Sequence, residues 1–418
     1  MSIWGWRVRR EVILGWDLGG AHVKAAGLDE NGCVIGVLQQ PCPLWQGLDQ
    51  LQLAVEKVMQ GLAPGPCRHF VTMTGELVDL FQDRASGVRH LLSVMASKIP
   101  ADSLRVYAGT RDFLTREQAE HEFSQVASAN WRASAALTAE RLVEGILIDV
   151  GSTTTDLAPF KGREVLSMGY DDHQRLQFEE LIYTGVVRTP LMALARRAPF
   201  AGHWVSLMAE HFATTADVYR LTGDLPEHAD MLPSADHGAK NVAASARRLA
   251  RMLGLDMEAA DLPGWRRVAD FLAQQQLRTL EDALQRILSR SLLGNGAPLV
   301  GAGCGRFLVR RLARRLERPY VGFDELFDCE ESAAATAAEC APAVAVAVLG
   351  AGDLVSHLHR GEDADDPANY RFSVFRLSQD LQATHELRPC DLQDLIKLCQ
   401  VLAFAIVDDG WVSRSTSE

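Results

Sequence analysis

Ile13-Leu14-Gly15-Trp16-Asp17-Leu18-Gly19-Gly20-Ala21-His22-Val23-Lys24 runs from an apolar stretch into an aspartate, then through a small flexible loop into a second apolar stretch. Ile146-Leu147-Ile148-Asp149-Val150-Gly151-Ser152-Thr153-Thr154-Thr155-Asp156 does the same further along. Each reads as strand, loop, strand. Working outward from the first, 12–16, 23–28 and 34–38 are strand candidates, with Asn31-Gly32 as a turn. Helical periodicity follows over 48–59, then a strand at 69–72, a helix at 88–96, a strand at 104–107 and a long alanine-rich helix within 118–142. The pattern restarts at 145–150, 155–160 and 164–168, with Lys161-Gly162 as the turn. This predicts an α/β fold of two related βββαβαβ domains facing each other across a cleft. The expected boundaries are 11–144 and 145–350, with a helical insertion over about 171–293. The second sheet resumes at 298–303 and 320–322, and a helix covers 332–349. An acidic linker at 362–367 leads into a C-terminal extension, 351–418 in all, with an amphipathic helix at 392–405. That extension docks on the body or mediates self-association, which leaves a homo-oligomer open.

Bulk composition narrows the classes. The chain has 418 residues and a formal charge of −12, which disfavours non-specific nucleic-acid binding. Arg310, Arg311, Arg314, Arg315 and Arg318 fall at helical spacing around Leu308, Leu312 and Leu316, as on a solvated helix face. The eight cysteines form no C-x-x-C pair, so reduced thiols in a cytoplasmic protein are expected. The apolar run after Glu11 is too short for a signal peptide. The run 341–349 falls far below the ~20 residues of a membrane span.

Gly19 and Gly20 let backbone amides approach a phosphate, and Lys24 adds a cation. Gly151, Ser152, Thr153 and Thr154 offer amides and hydroxyls in the second loop. Asp17, Asp149 and Asp156 are anions, so they suit a phosphate only with Mg²⁺ or its water shell between. A third element, Gly301-Ala302-Gly303-Cys304-Gly305, follows a strand and precedes a helix, as phosphate- or adenosine-binding loops do.

This trio resembles the actin-like ATPase (ribonuclease H-like) superfamily, with Asp17 and Asp149 opening the two phosphate loops and Gly301-Ala302-Gly303 in the adenosine loop. The second loop is similar to that of the hydantoinase and oxoprolinase branch. Further strings sharpen the likeness: Thr72-Met73-Thr74-Gly75-Glu76-Leu77, Ala129-Asn130-Trp131, Asp171-Asp172-His173-Gln174-Arg175-Leu176, Glu180 through Tyr183-Thr184-Gly185-Val186-Val187-Arg188-Thr189-Pro190, and Ala213 through Leu221. Over about 11–350 the chain resembles the hydantoinase-A-like proteins of tetrahydromethanopterin-linked one-carbon metabolism, whose archaeal members act in methanofuran biosynthesis. The resemblance implies a transferase that joins a furanylmethyl diphosphate to a phenolic amine and releases pyrophosphate, with Mg²⁺ as cofactor. Lys24 would stabilise the leaving charge. Asp171, Asp172 and His173 are alternative bases for the phenol. Arg175 and Arg188 would grip phosphate or carboxylate, and Tyr183 and Thr184 would line an aromatic pocket.

Blander readings stand beside these. Arg188 could pair with Glu180, Tyr183 could be core, and Thr214, Thr215 and Asp217 could simply start a helix. Glu210, His211, Asp217 and His203 form a loose metal-ligand pattern. An ATP-dependent kinase or oxoprolinase-like hydrolase of the same fold is the competing activity, and a nucleotide-sensing protein the competing class.

Overall fold

A computed structural model describes residues 12–63, 65–109 and 113–359. The first sheet contains β1 (Val12–Leu18), β2 (His22–Leu28), β3 (Val34–Pro41), β4 (Cys67–Met73), β5 (Leu104–Tyr107) and β6 (Phe113–Leu114), in the order β3-β2-β1-β4-β5-β6. β1 runs antiparallel to β2 and parallel to β4. The second sheet contains β7 (Glu144–Val150), β8 (Thr155–Lys161), β9 (Glu164–Val165), β10 (Leu181–Ile182), β13 (Leu299–Ala302) and β14 (Tyr320–Gly322). Its order is β10-β8-β7-β13-β14, with β9 beside β8. β7 is antiparallel to β8 and parallel to β13. The duplicated actin-like arrangement is therefore present. Between β10 and β13 lie a small hairpin, β11 (Arg197–Phe200) with β12 (His203–Ser206), and the helices Thr215–Thr222, Val242–Met252 and Leu262–Leu288.

Strand β1 shows why these residues form a central strand. Leu14, Trp16 and Leu18 alternate onto one face, where Val55, Val58 and Leu91 from the Leu48–Leu62 and Arg84–Ala96 helices cover them. Ile13 and Gly15 take the other face, against the Ala341–His359 helix. A Cβ at Gly15 would collide with the Ala343 carbonyl and with Ala347, so only glycine admits that helix.

The helices cross between the halves. Ala341–His359, from the end of the second half, packs on β1, β2 and β4, while Asn130–Arg141, from the end of the first, packs on β7 and β8. One core accordingly mixes Ile13, Phe70 and Trp131 with Leu147, Phe160, Val300 and Val344. The apolar run at 341–349 belongs to that core, and among the described residues no single helix is long and apolar enough to cross a membrane.

Several expectations need correction. The alanine-rich helix expected within 118–142 is Asn130–Arg141; two short helices, Arg116–His121 and Phe123–Val126, precede it, and Ser128 at φ 53° separates it from the second. The helix expected over 332–349 bends by 109° between Glu331–Glu339 and Ala341–Leu354. The strand expected over 164–168 is only Glu164–Val165, because Leu181–Ile182 takes a place beside β8 as well. The arginine helix has the expected solvated face, with Arg310, Arg314 and Arg315 exposed and Leu308 and Leu312 buried; Arg311 also pairs with Asp224 at 2.6 Å and Arg315 with Glu281 at 3.2 Å. Asp217 is no metal ligand; it caps the Thr215–Thr222 helix with Thr214 and takes Arg248 and Ser245 at 2.8 and 2.7 Å. The acidic linker and the helix expected at 392–405 lie outside the described residues.

Gly15→Ala should lower stability by about 2 kcal/mol or more, since overpacking against fixed backbone has no room to relax. Denaturant midpoints compared with the unsubstituted protein check this; an unchanged midpoint would show that the C-terminal helix does not rest on β1.

Candidate active site

Three carboxyls and one lysine meet where the two sheets face each other. Register sets Asp17 on β1 opposite Lys24 on β2, beside Thr72 on β4. It also sets Asp149 on β7 directly opposite Asp156 on β8, a like-charge pairing that costs stability unless offset. Lys24, from the first half, acts electrostatically on Asp17, Asp149 and Asp156 together. Burial pushes Asp149 up to about 7, Lys24 opposing and Asp156 and Asp17 reinforcing. Burial also raises Asp17, against Lys24 and a hydrogen bond from Asn130. Burial opposes the Lys24 charge, but Cys340, Asp17, Asp149 and Cys304 outweigh it and hold the ammonium protonated. Its Nζ also donates to the Glu339 carbonyl at 3.3 Å, at the bend between the last two helices.

Backbone hydrogen bonds aim the two loops. Leu44 N–H donates to the Gly20 carbonyl at 3.1 Å, and Cys42 N–H to Ala21 at 2.8 Å. In the second loop Val186 N–H donates to Gly151 at 3.1 Å, and Val187 and Arg188 N–H to Ser152 at 3.1 and 2.9 Å. In a trans peptide the carbonyl and the following N–H point in opposite directions. Pinning these carbonyls therefore turns the amides of Ala21, Ser152 and Thr153 away from their braces. This accounts for the Tyr183–Pro190 string: a Cβ at Gly185 would strike Ser152 and Thr153, so glycine lets the segment lie against the loop.

The third loop lies between β13 and the Arg306–Arg315 helix, as expected, and is tightly packed. The space beside Gly301 is filled by the Tyr320 ring, and a Cβ at Gly303, whose φ is +79°, would strike Asp149 and Val150. Both glycines serve close packing on the side a Cβ would occupy, and the Gly303 N–H donates to the Ala338 carbonyl at 2.8 Å.

The remaining expected residues separate. Asp171 caps the Asp172–Gln177 helix, accepting from Gln174 N–H at 2.8 Å. His173 is exposed on that helix. Asp172 turns inward, bonded to Arg84 at 2.7 Å and Ser128 at 3.0 Å. Arg175 is corrected from substrate contact to support. It is 1% exposed, lies 3.9 Å from the Trp131 ring centroid, and binds Asp156 at 2.7 Å and the Glu180 carbonyl at 2.8 Å. Thr184 is also corrected: it is buried, bonded to Thr155 and Gln276. Arg188 does not pair with Glu180, which instead accepts from Met168 and Gly169 N–H and pairs with Arg290. Among the described residues Arg188 has no carboxylate partner; it sits 3.5 Å from the Thr153 hydroxyl and over the Trp45 ring. Tyr183 is not core but 62% exposed, and Trp45 is 42% exposed.

Sequence reasoning missed Glu76, Ser128, Asn130, Trp131 and His22 as site residues. His22 is buried and pushed down to about 3 by burial, Lys24 and Arg188. It stays neutral with Nε2 unpaired. The strings Thr72–Leu77 and Ala129–Trp131 were the available signal, and helical periodicity gave no sign of the turn at Ser128.

Among the described residues no three His, Cys, Asp or Glu side chains come together as a metal site. Asp17 Oδ1 is nonetheless a buried acceptor without a partner. Mg²⁺ retains several waters readily, so a hydrated ion between these carboxylates and an anionic ligand fits the donor set, whereas direct chelation does not.

The raised Asp149 gives a stability test. Because its folded pKa lies above the unfolded value, the folded chain holds the extra proton between about pH 4 and 7 and loses stability as pH rises through that window. Asp149→Asn should gain thermal stability relative to the unsubstituted protein as pH goes from 5 to 8 without added metal. A gap independent of pH would show that Asp149 titrates normally.

Comparison with known proteins places this geometry. Residues 69–344 match the hydantoinase/oxoprolinase family model. The (4-{4-[2-(gamma-L-glutamylamino)ethyl]phenoxymethyl}furan-2-yl)methanamine synthase of Methanocaldococcus jannaschii is 31% identical over 248 residues, 59% of this chain and 73% of that protein. The synthase of the same name from Methanococcus vannielii is 40% identical over 73 residues, 18% of this chain and 32% of that one. Among solved structures, the activator of 2-hydroxyisocaproyl-CoA dehydratase from Clostridium difficile aligns over 88% of this chain and 97% of its own, at 12% identity and a TM-score of 0.39. The chain belongs to the hydantoinase/oxoprolinase family.

Proposed function

We propose that this protein is a transferase of methanofuran-type cofactor biosynthesis that joins a furanylmethyl diphosphate to the phenol oxygen of a tyramine-derived acceptor and releases pyrophosphate. The relatives' name describes a phenoxymethyl-furan, an ether between a phenol and a furan-bearing CH₂. The observation that carries the reading is the pair of braced loops, whose Ala21, Ser152 and Thr153 amides are turned from their braces, with Lys24 on the strand that follows the first loop. Backbone amides of this kind suit a diphosphate.

As the furanylmethyl–oxygen bond breaks, negative charge grows on the diphosphate. The Ala21, Ser152 and Thr153 amides and Lys24 are fixed donors for that charge, which is worth more in a water-poor site than in water. Mg²⁺ held through water by Asp17, Asp149 and Asp156 would neutralise part of it. Asp172, with one face toward Arg84 and Ser128, is the carboxylate placed to take the phenol proton. Trp45 and Tyr183 offer exposed aromatic surface, and Arg188, stacked on Trp45 and without a carboxylate partner among the described residues, offers a guanidinium for an acceptor carboxylate.

Calorimetric titration distinguishes this from an ATP-dependent kinase or hydrolase. With Mg²⁺ present, pyrophosphate should bind and ATP should not; ATP binding without pyrophosphate binding would overturn the reading. Arg188→Ala should raise the KM for a glutamyl-bearing acceptor about tenfold, one charge-assisted hydrogen bond's worth, with kcat little changed. An unaltered KM would remove Arg188 from the acceptor site.

A further inference from the structure

Glu76 is 1% exposed, in the short turn after β4, and its Oε2 has no hydrogen-bond partner. Its Oε1 lies 2.9 Å from the Ser128 hydroxyl, and the same hydroxyl lies 3.0 Å from Asp172 Oδ2. A serine hydroxyl carries one hydrogen. It can make one full hydrogen bond, so both contacts are fully satisfied only when one of the two carboxyls carries a proton and donates to Ser128. Asp172 has Arg84 at 2.7 Å to hold its charge. Among the described residues Glu76 has no cation in contact, and burial raises its pKa against its own backbone N–H, the Ser128 hydroxyl and Arg84, with Asp172 the anion that reinforces. Ser128 is held for this contact at φ 53°, a left-handed conformation a serine adopts only under constraint.

We infer that Glu76 is a neutral carboxylic acid whose proton points at Ser128 Oγ, so that Ser128 must donate to Asp172, and that this chain of donors positions Asp172 as the base for the acceptor hydroxyl. Glu76 and Ser128 are positioning residues; Asp172 is the group that meets the substrate. The role at the acceptor rests on the transferase reading. In the step, the acceptor O–H breaks and its proton passes to Asp172. The freed electron pair forms the ether bond to the furanylmethyl carbon, and the electrons of the breaking C–O bond leave with pyrophosphate. Asp172 returns its proton to solvent after product leaves. When Glu76 ionises, both carboxylates compete for the one serine hydrogen and Asp172 is no longer held. The charged groups facing the unit are Arg84 from its helix, and Asp156 with its partner Arg175 from the second sheet.

Infrared spectroscopy tests the proton without needing turnover. At neutral pH the protein minus Glu76→Gln difference spectrum should show one carboxylic-acid carbonyl band. That band should shift in Ser128→Gly, which removes the hydroxyl while suiting the left-handed backbone. A difference spectrum showing only a carboxylate band would overturn the inference, whatever the reaction proves to be. Kinetics then test the role. Because Gln donates as a protonated Glu does, Glu76→Gln should keep kcat within roughly threefold and lose the alkaline fall in the pH profile, while Ser128→Gly falls about tenfold. Asp172→Asn should fall on the order of a hundredfold. A collapse of kcat in Glu76→Gln, or an alkaline limb unchanged by it, would overturn the positioning role. If the acid band is present but the unsubstituted protein forms no ether, the proton arrangement stands and the transferase reading is what fails.

Discussion

Asp149 and Asp156 face each other across an antiparallel strand pair, both half-buried, where two unpaired carboxylates would repel. Much of the architecture answers that constraint. Lys24 comes from the opposite sheet to share its charge among both of them and Asp17. Arg175, itself buried and stacked on Trp131, is spent on Asp156. Removing one partner from such a cluster costs far more than the cluster contributes, because a buried charge is left uncompensated. The unpaired Asp17 Oδ1 and the raised Asp149 mark where compensation is incomplete, and a hydrated cation brought with an anionic ligand would complete it.

The two halves are held in this relation by helix exchange. The last described helix rests on the first sheet, the helix before β7 rests on the second, and one core spans both. Each exchange requires a break in a helical run, and each break supplies the site. The first puts Ser128 beside Glu76 and Asp172, Asn130 beside Asp17 and Trp131 beneath Arg175. The second, at Cys340, sets the Glu339 carbonyl against Lys24. Packing and chemistry are thus set by the same two interruptions.

The strand pattern was legible because hydrophobic alternation and turn residues are local: β5 and β14 coincide with their expected limits. The two aspartate loops were legible for the same reason. What periodicity could not show was the break at Ser128, since alanine-rich sequence continues the helical pattern across it, or the bend at Cys340. Nor could spacing distinguish Asp171, Asp172 and His173. Their roles as cap, inward carboxylate and exposed side chain depend on which face the first domain covers. Arg175 looked like a ligand-binding fork because nothing local to it announces Asp156 and Trp131. The glycines of the third loop looked open because their neighbours, Tyr320 and Asp149, come from other strands.

In the proposed reaction a diphosphate leaves and no nucleotide is consumed. The most direct measurement is to mix the protein with a furanylmethyl diphosphate, a tyramine-type acceptor and Mg²⁺, without ATP, and to quantify aryl ether and pyrophosphate together. Equal amounts of the two, unchanged by added ATP, are predicted. Ether formation that requires ATP, or phosphate release without any ether, would contradict it.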